Sequence, residues 1–75
     1  MTLLDARPGR PVRILKIADD QARAQCVRFG IGEGTVVESA EKLPLGPVLV
    51  RHCQQEICMG RKLACRVLIE EAVSA

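Results

Sequence analysis

The side chains best suited to chemistry in this sequence are four cysteines and the single histidine. They are Cys26, Cys53, Cys58, Cys65 and His52. Thiolate and imidazole groups bind transition metals such as zinc and iron. Structural zinc sites use pairs of the form Cys-x-x-Cys, and no two of these cysteines have that spacing. We therefore expect no metal ion and no other cofactor to be required, and we expect any iron or zinc that binds to be weakly held or adventitious.

A metal-binding or redox module stands as an alternative hypothesis. Its candidate ligands are Cys53, Cys58, Cys65 and His52. His52 and Cys53 are consecutive residues of a predicted strand, so their side chains point to opposite faces and reach one ion only if the strand ends or bulges there. Cys26 lies on an apolar helical stripe and Cys58 lies between two apolar residues. We interpret both as packing residues, because a free cysteine behaves as a small hydrophobe.

No residue pattern in the chain indicates catalysis. One histidine and scattered carboxylates do not form a nucleophile with an activating base. The glycine-rich stretch 30–34 lacks the Gly-Lys-[Ser/Thr] ending of a phosphate-binding loop, and its Glu33 would repel a phosphate. A chain of 75 residues also has little room for a cleft of about 300–1,000 Å³. We therefore predict a protein that is not an enzyme and has no catalytic residues.

The composition argues against several classes of partner. Phe29 is the only aromatic residue, whereas modules that stack single-stranded bases or bind proline-rich peptides depend on aromatic faces. The formal net charge of +2 is too small to indicate nucleic acid. No apolar run approaches the ~20 residues that span a bilayer, and the N-terminus lacks the apolar core of a signal peptide. We expect a cytoplasmic protein with no direct membrane insertion, whose cysteines are reduced rather than paired in disulfides.

Branched and apolar residues predict short strands separated by turn signals. The predicted strands cover residues 12–17, 35–39, 48–52, 56–59 and 67–70. A helix is predicted over residues 21–29, where apolar residues recur at helical spacing, with Asp19 or Asp20 as its cap and Gly30 after its end. Turns are predicted at residues 7–11, 30–34 and 43–47, and one helical turn at 61–65. These elements predict a mainly β domain with one short helix and about five strands, closed into a small barrel that leaves no sheet edge unpaired.

Three sequence segments, within a stretch that covers about residues 10–72, have a distinctive order and spacing. Residues 26–35 read CVRFGIGEGT, residues 43–48 read LPLGPV, and residues 57–64 read ICMGRKLA. Together they resemble the FeoA family of ferrous-iron transport accessory proteins, which has an apolar block followed by Gly-[Met/Ile]-x-x-Gly-[Ser/Thr], then a Pro-Leu-Gly loop, then a short strand and turn ending in x-Arg. Leu43 and Cys58 depart from that pattern, because the family often has alanine at both places.

The resemblance implies an SH3-like β-barrel with a helix after the first strand, forming a single domain over residues 1–75 with its core at about 10–72. It implies a small cytosolic accessory protein of bacterial ferrous iron uptake. The implied partner is the cytosolic part of the FeoB-type membrane iron transporter, which binds GTP. A second alternative is a stand-alone regulatory domain, since iron-dependent repressors contain a related SH3-like domain.

We expect the partner-binding surface to combine an exposed loop, a hairpin and nearby basic side chains. The predicted contact residues are Leu43, Pro44, Leu45, Gly46, Arg51, Gln54, Gln55, Arg61 and Lys62. A small barrel can dock a partner through exposed loops and strand edges, and cationic side chains favour an acidic partner surface. A small barrel in which one edge stays open is also compatible with a homodimer.

Overall fold

The structure is a computed structural model that describes residues 1–44 and 46–72. This part of the chain contains one 3-10 helix, two α-helices and six strands. The 3-10 helix is Leu3–Asp5, and the α-helices are α1 (Asp20–Arg28) and α2 (Arg61–Ala64). The strands are β1 (Val12–Ile17), β2 (Val36–Val37), β3 (Ser39–Lys42), β4 (Val48–His52), β5 (Gln55–Met59) and β6 (Val67–Glu71).

The strands form two antiparallel sheets. The first sheet has the order β2-β1-β6 and the second sheet has the order β3-β4-β5. The predicted mainly β class with a short helix after the first strand is confirmed, and the arrangement is consistent with an SH3-like fold.

The predicted closed barrel of about five strands is corrected in one respect. The described residues form six strands in two sheets, without barrel closure. The difference arises at Glu38, within the predicted strand 35–39. Its backbone N–H donates to the carbonyl of Arg51 at 2.9 Å, so the chain crosses there from one sheet to the other. As a result β2 pairs with β1, whereas β3 pairs with β4.

One hydrophobic core joins the two sheets. Along β1, Val12, Ile14 and Ile17 are buried, and a bulge between Ile14 and Lys16 leaves both Leu15 and Lys16 exposed. None of the described polar or charged side chains is buried. The interior therefore stabilises the fold through apolar burial, and any recognition chemistry must lie on the surface.

Helix α1 follows the prediction from its spacing. The Asp19 carboxylate accepts from the N–H of Ala22 at 2.8 Å and so satisfies one of the unpaired donors of the first turn. Ala22 and Cys26 are buried, and Phe29 packs against the core. Burial raises the pKa of the Cys26 thiol, in agreement with its interpretation as a packing residue. The helix ends before Gly30, whose φ of 76° suits glycine.

The N-terminal segment is part of the fold, although we predicted regular structure to begin only at β1. The N–H of Thr2 donates to the Asp5 carboxylate at 2.9 Å, which completes a capping box around the 3-10 helix. Leu3 is fully buried in the core. The N–H of Ile69 donates to the carbonyl of Met1 at 2.8 Å, so the segment also covers the outer edge of β6.

Glu33 links the turn before β2 to the end of β1. Its carboxylate accepts from the N–H of Ile17 at 3.1 Å and contacts the Arg23 guanidinium at 3.5 Å. The backbone hydrogen bond, and then the charge of Arg23, hold the pKa of Glu33 below its ordinary value of 4.5. Because the folded pKa is lowered, this carboxylate stabilises the fold above its unfolded pKa, and the stabilisation is lost as pH falls through the folded pKa.

Replacing this carboxylate gives a prediction on pH dependence. Glu33→Gln keeps an acceptor oxygen but removes the charge, so we expect the variant to be less stable than the wild type at pH 7. The difference in free energy of unfolding should shrink as pH falls below about 4.5, because the wild type then loses the same charge. Urea unfolding at pH 7, 5, 4 and 3 measures this difference in free energy of unfolding. Glu38→Gln, which removes the charge of another exposed carboxylate, is the control. A difference that stays constant from pH 7 to pH 3 would contradict the role assigned to Glu33.

Candidate partner-binding surface

The predicted turn at residues 43–47 closes one end of the second sheet. The N–H of Leu43 donates to the carbonyl of Pro47 at 2.9 Å, and the N–H of Gly46 donates to the carbonyl of Leu43 at 3.1 Å. The turn connects the paired residues Lys42 and Val48, the last residue of β3 and the first of β4. Its position is therefore fixed by the register of the sheet.

The loop residues differ in how much surface they offer a partner. Pro44 is exposed and Leu43 is half-buried, whereas Gly46 is buried. The Arg61 side chain covers Gly46 closely: a Cβ built on that glycine would lie 3.0 Å from the Arg61 Cδ. The prediction for Leu45 falls outside the described residues. Contact at this loop would therefore involve Pro44 and Arg61 rather than the glycine beneath them.

The basic residues of α2 lie at the same end of the sheet as this loop. Met59 pairs with Val48, and after Gly60 the chain enters α2 with Arg61 and Lys62, which are both exposed. Lys42, at the end of β3, is exposed as well. We call this region the loop end, and its members are Lys42, Leu43, Pro44, Gly46, Arg61 and Lys62.

The other end of the second sheet carries the hairpin between β4 and β5. Cys53 and Gln54 connect the paired residues His52 and Gln55 and have φ values of 52° and 64°. Positive φ at both central residues is the signature of a type I′ turn, which ordinarily favours Asn-Gly. Gln54 and Gln55 were both expected at the hairpin, and the structure places Gln54 in the turn and Gln55 at the start of β5.

A shallow depression of about 330 Å³ lies beside this hairpin. It is lined by Glu38, Arg51, Gln54 and Glu56. Arg51 and Glu56 face each other across β4 and β5 and form an ion pair at 3.2 Å, with both side chains more than half exposed. We call these four residues the hairpin end. Arg51 is neutralised by Glu56 and Glu38 adds a further carboxylate, so this end is not a basic surface.

The structure divides the predicted contact surface into two separate regions. The loop end lies beside the Val48–Met59 pair, and the hairpin end lies beside the His52–Gln55 pair. The two pairs lie four residue steps apart along β4, which corresponds to about 14 Å. Arg51, Gln54 and Gln55 therefore do not lie with Arg61 and Lys62, and the predicted contact residues do not form one continuous surface.

Ion pairing distinguishes the two regions further. Within the described residues the ion pairs are Arg10–Glu71, Arg13–Glu70, Arg23–Asp20, Arg23–Glu33, Arg51–Glu56 and Arg66–Asp19. Lys42, Arg61 and Lys62 form none in this part of the chain. The loop end is therefore a patch of exposed positive charge that is not neutralised locally.

The predicted metal ligands do not gather into one group. Strand β4 ends at His52, and the Cys53 Sγ lies 3.5 Å from the His52 Nε2, so these two side chains do approach each other. Cys65 is exposed at the end of α2, and its thiol donates to the carbonyl of Lys62 at 3.2 Å. Among residues 1–44 and 46–72, no three histidine, cysteine, aspartate or glutamate side chains are placed to hold a metal ion.

The interpretation of Cys58 as a packing residue is wrong. Cys58 lies between the inward-facing Ile57 and Met59, and the alternation of a β-strand turns its side chain to the exposed face. Strand β5 therefore adds no second buried thiol to Cys26, because Ile57 and Met59 are the residues that it contributes to the core.

Sequence reasoning missed two residues of these regions. Lys42 adjoins the loop in sequence, and the registers of β3, β4 and β5 place it at the same end of the sheet as Arg61 and Lys62. Glu38 was placed inside a continuous strand, whereas it lies at the crossing between the sheets and lines the depression. A polar residue that interrupts the branched run of residues 35–39 was the available signal for that crossing.

Comparison with known proteins shows the family of the chain. The model of the FeoA domain matches residues 1–71 of the 75-residue chain. No curated protein matches the chain. No helix within the described ranges is long and apolar enough to cross a bilayer. The match covers the 3-10 helix and both sheets, so the chain belongs to the FeoA family of small, non-enzymatic accessory domains associated with ferrous iron transport.

Proposed function

We propose that this protein is a cytoplasmic interaction module of bacterial ferrous iron uptake, which docks on the cytosolic part of a FeoB-type GTP-binding transporter through its loop end. The observation that supports this proposal is the group of exposed cations Lys42, Arg61 and Lys62 beside the exposed Pro44. In this role the module supplies contacts, and the transporter supplies the chemistry of GTP hydrolysis and iron passage.

The physics of charged surfaces favours the loop end over the hairpin end. A cation without a local ion pair attracts an acidic partner over a distance, which raises the association rate. Arg51 would first have to give up its contact with Glu56, so its net gain on docking is smaller. The side chain of Arg61 also packs against Gly46, which restricts its conformations before a partner binds. The entropy that this side chain loses on docking is therefore smaller.

The experiment that tests this proposal follows backbone amide shifts of the labelled protein during titration with the soluble domain of the cognate transporter. The titration is repeated with guanine nucleotide and with ferrous iron. Shifts confined to the loop end support the proposal. Shifts centred on Arg51 and Gln54 would move the contact to the hairpin end, and no shifts at near-millimolar protein would count against docking on this soluble domain.

Charge reversal of α2 provides the matching prediction. Arg61→Glu together with Lys62→Glu should weaken docking by about tenfold or more, because two exposed attractive contacts become repulsive. The control is Lys16→Glu with Arg28→Glu, which makes the same change in net charge at two exposed cations away from the loop end. The dissociation constant is measured by titration calorimetry after thermal unfolding shows that both variants fold. Equal weakening in the two variants would indicate a general charge effect and not a site at α2.

The metal-binding alternative has less support from the geometry. The His52–Cys53 pair supplies two ligands, whereas zinc takes four in a structural site and three protein ligands in a catalytic site. Cys58 and Cys65 are exposed and are not grouped with this pair. We therefore place the interaction role first and treat the pair as a weak site for adventitious iron or zinc.

A further inference from the structure

The outer edge of β5 is an unpaired strand edge of five residues. Gln55 closes the two-residue hairpin, so its backbone N–H and carbonyl groups point to β4. Because these directions alternate along an antiparallel strand, the backbone groups of Ile57 and Met59 point to β4 as well. The N–H and carbonyl groups of Glu56 and Cys58 therefore point away from β4. Within the described residues these groups have no backbone or side-chain partner.

The core is also least covered at this edge. Ile57, in the middle of β5, is 8% exposed, whereas every other residue of the buried core is at most 2% exposed. A further strand beside β5 would cover this side chain and satisfy the four outward backbone groups of Glu56 and Cys58. Both observations point to a strand added at the same place.

The remaining sheet edges are less able to accept a strand. Met1 and Thr2 occupy the outer edge of β6, through the Ile69–Met1 hydrogen bond and a bridge between Thr2 and Leu68. The 3-10 helix contacts β3, and β2 is only two residues long. A head-to-tail contact of β5 with β6 of another copy is therefore blocked, and an isologous contact of β5 with β5 remains.

We propose that β5 is the contact of a weak homodimer in which two copies pair their β5 strands antiparallel about a two-fold axis at Ile57. This register pairs all five residues of each strand and sets Glu56 opposite Cys58 of the second copy, with Ile57 meeting its own copy on the inner face. In this register the outward N–H and carbonyl groups of Glu56 in one copy form hydrogen bonds with those of Cys58 in the other copy. A shift that centres the axis on Glu56 would oppose two like charges and pair fewer strand residues.

Charge at position 58 tests both the contact and its register. Because of the two-fold axis, Cys58→Glu would place a glutamate opposite Glu56 twice in each dimer. These two like-charge pairs should raise the dissociation constant of the dimer by roughly tenfold. Cys58→Lys would set lysine opposite Glu56 and should strengthen the dimer by a similar factor. Cys65→Glu adds the same charge at an exposed thiol outside β5 and should leave the association unchanged.

The measurement is sedimentation equilibrium of the full chain under reducing conditions, at concentrations up to about 1 mM. We expect the mass to rise above 8.2 kDa with concentration in the wild type, and the amides of Glu56 and Cys58 to gain protection from hydrogen exchange in parallel. Urea unfolding of each variant separates a loss of folding from a loss of association. A single 8.2 kDa species at every concentration would overturn the proposal, as would equal association of the Glu and Lys variants. Protection of these two amides only when the transporter domain is added would assign the edge to a transporter strand instead.

Discussion

Truncation of Leu3 to alanine should destabilise the protein by about 2–5 kcal/mol, which is the range for leucine side chains removed from a packed core. Leu3 is fully buried although it lies in the first turn of the chain. Its 3-10 helix contacts β3, α2 and β6, so the segment that carries Leu3 packs against both sheets. A domain of 75 residues has a total stability of about 4–11 kcal/mol, so this loss is a large fraction of the whole.

The measurement is the midpoint and slope of urea unfolding at neutral pH. Leu4→Ala is the matched control, since Leu4 is adjacent, chemically identical and only partly buried against the core. We expect Leu4→Ala to cost clearly less than Leu3→Ala. Hydrogen exchange should also report faster exchange at the Ile69 amide in the Leu3 variant, because that N–H depends on Met1 being held in place. Equal midpoints for the two variants would show that the N-terminal segment does not contribute to the core in solution.

Substitution of Gly46 by alanine should cost about 1–3 kcal/mol, because its φ of 123° is a conformation that side chains rarely adopt. The added methyl group would also lie 3.0 Å from the Cδ of Arg61 and would push that side chain off the loop. The variant therefore lowers the stability of the fold and also displaces Arg61, a proposed docking residue. We expect lower stability and weaker docking from this single change.

Gly32→Ala provides the control for Gly46→Ala. Gly32 has no positive φ, and a methyl group there would meet only the Thr35 hydroxyl at 4.0 Å. Its effect on the free energy of unfolding should be small, or slightly stabilising through the unfolded state. Thermal unfolding and the transporter titration are measured on both variants. If Gly46→Ala unfolds with the same midpoint as Gly32→Ala, residue 46 does not require the positive φ that favours glycine.

The elements that could be predicted were those set by local chemistry. Strand β1 was predicted with its observed bounds, because six branched and basic residues follow a proline-rich turn. Helix α1 was predicted within one residue at each end, because Asp19 caps it and Gly30 terminates it. The turn at residues 43–47 was predicted from its prolines and glycine. In each case the signal lies within a few neighbouring residues.

The features that were missed depend on contacts between distant residues. The crossing at Glu38 is fixed by its hydrogen bond to Arg51, and nothing in residues 35–39 alone requires it. The separation of Arg51 from Arg61 follows from the register of β4 and β5 and not from spacing in sequence. The burial of Leu3 had a local signal in the Thr2–Asp5 capping box, which was not recognised because the segment is so short.

The pairing of β1 with β6 has a consequence for how the protein forms during synthesis. These strands are far apart in sequence, and Arg13 meets Glu70 across 57 positions. The first sheet therefore cannot be completed until residues 67–71 have left the ribosome, whereas the β4–β5 hairpin can form as soon as its own residues emerge. Until β6 arrives, one edge of β1 has no strand partner. The first sheet thus depends on β6 for five of its seven residue pairs, since β1 and β2 share only two.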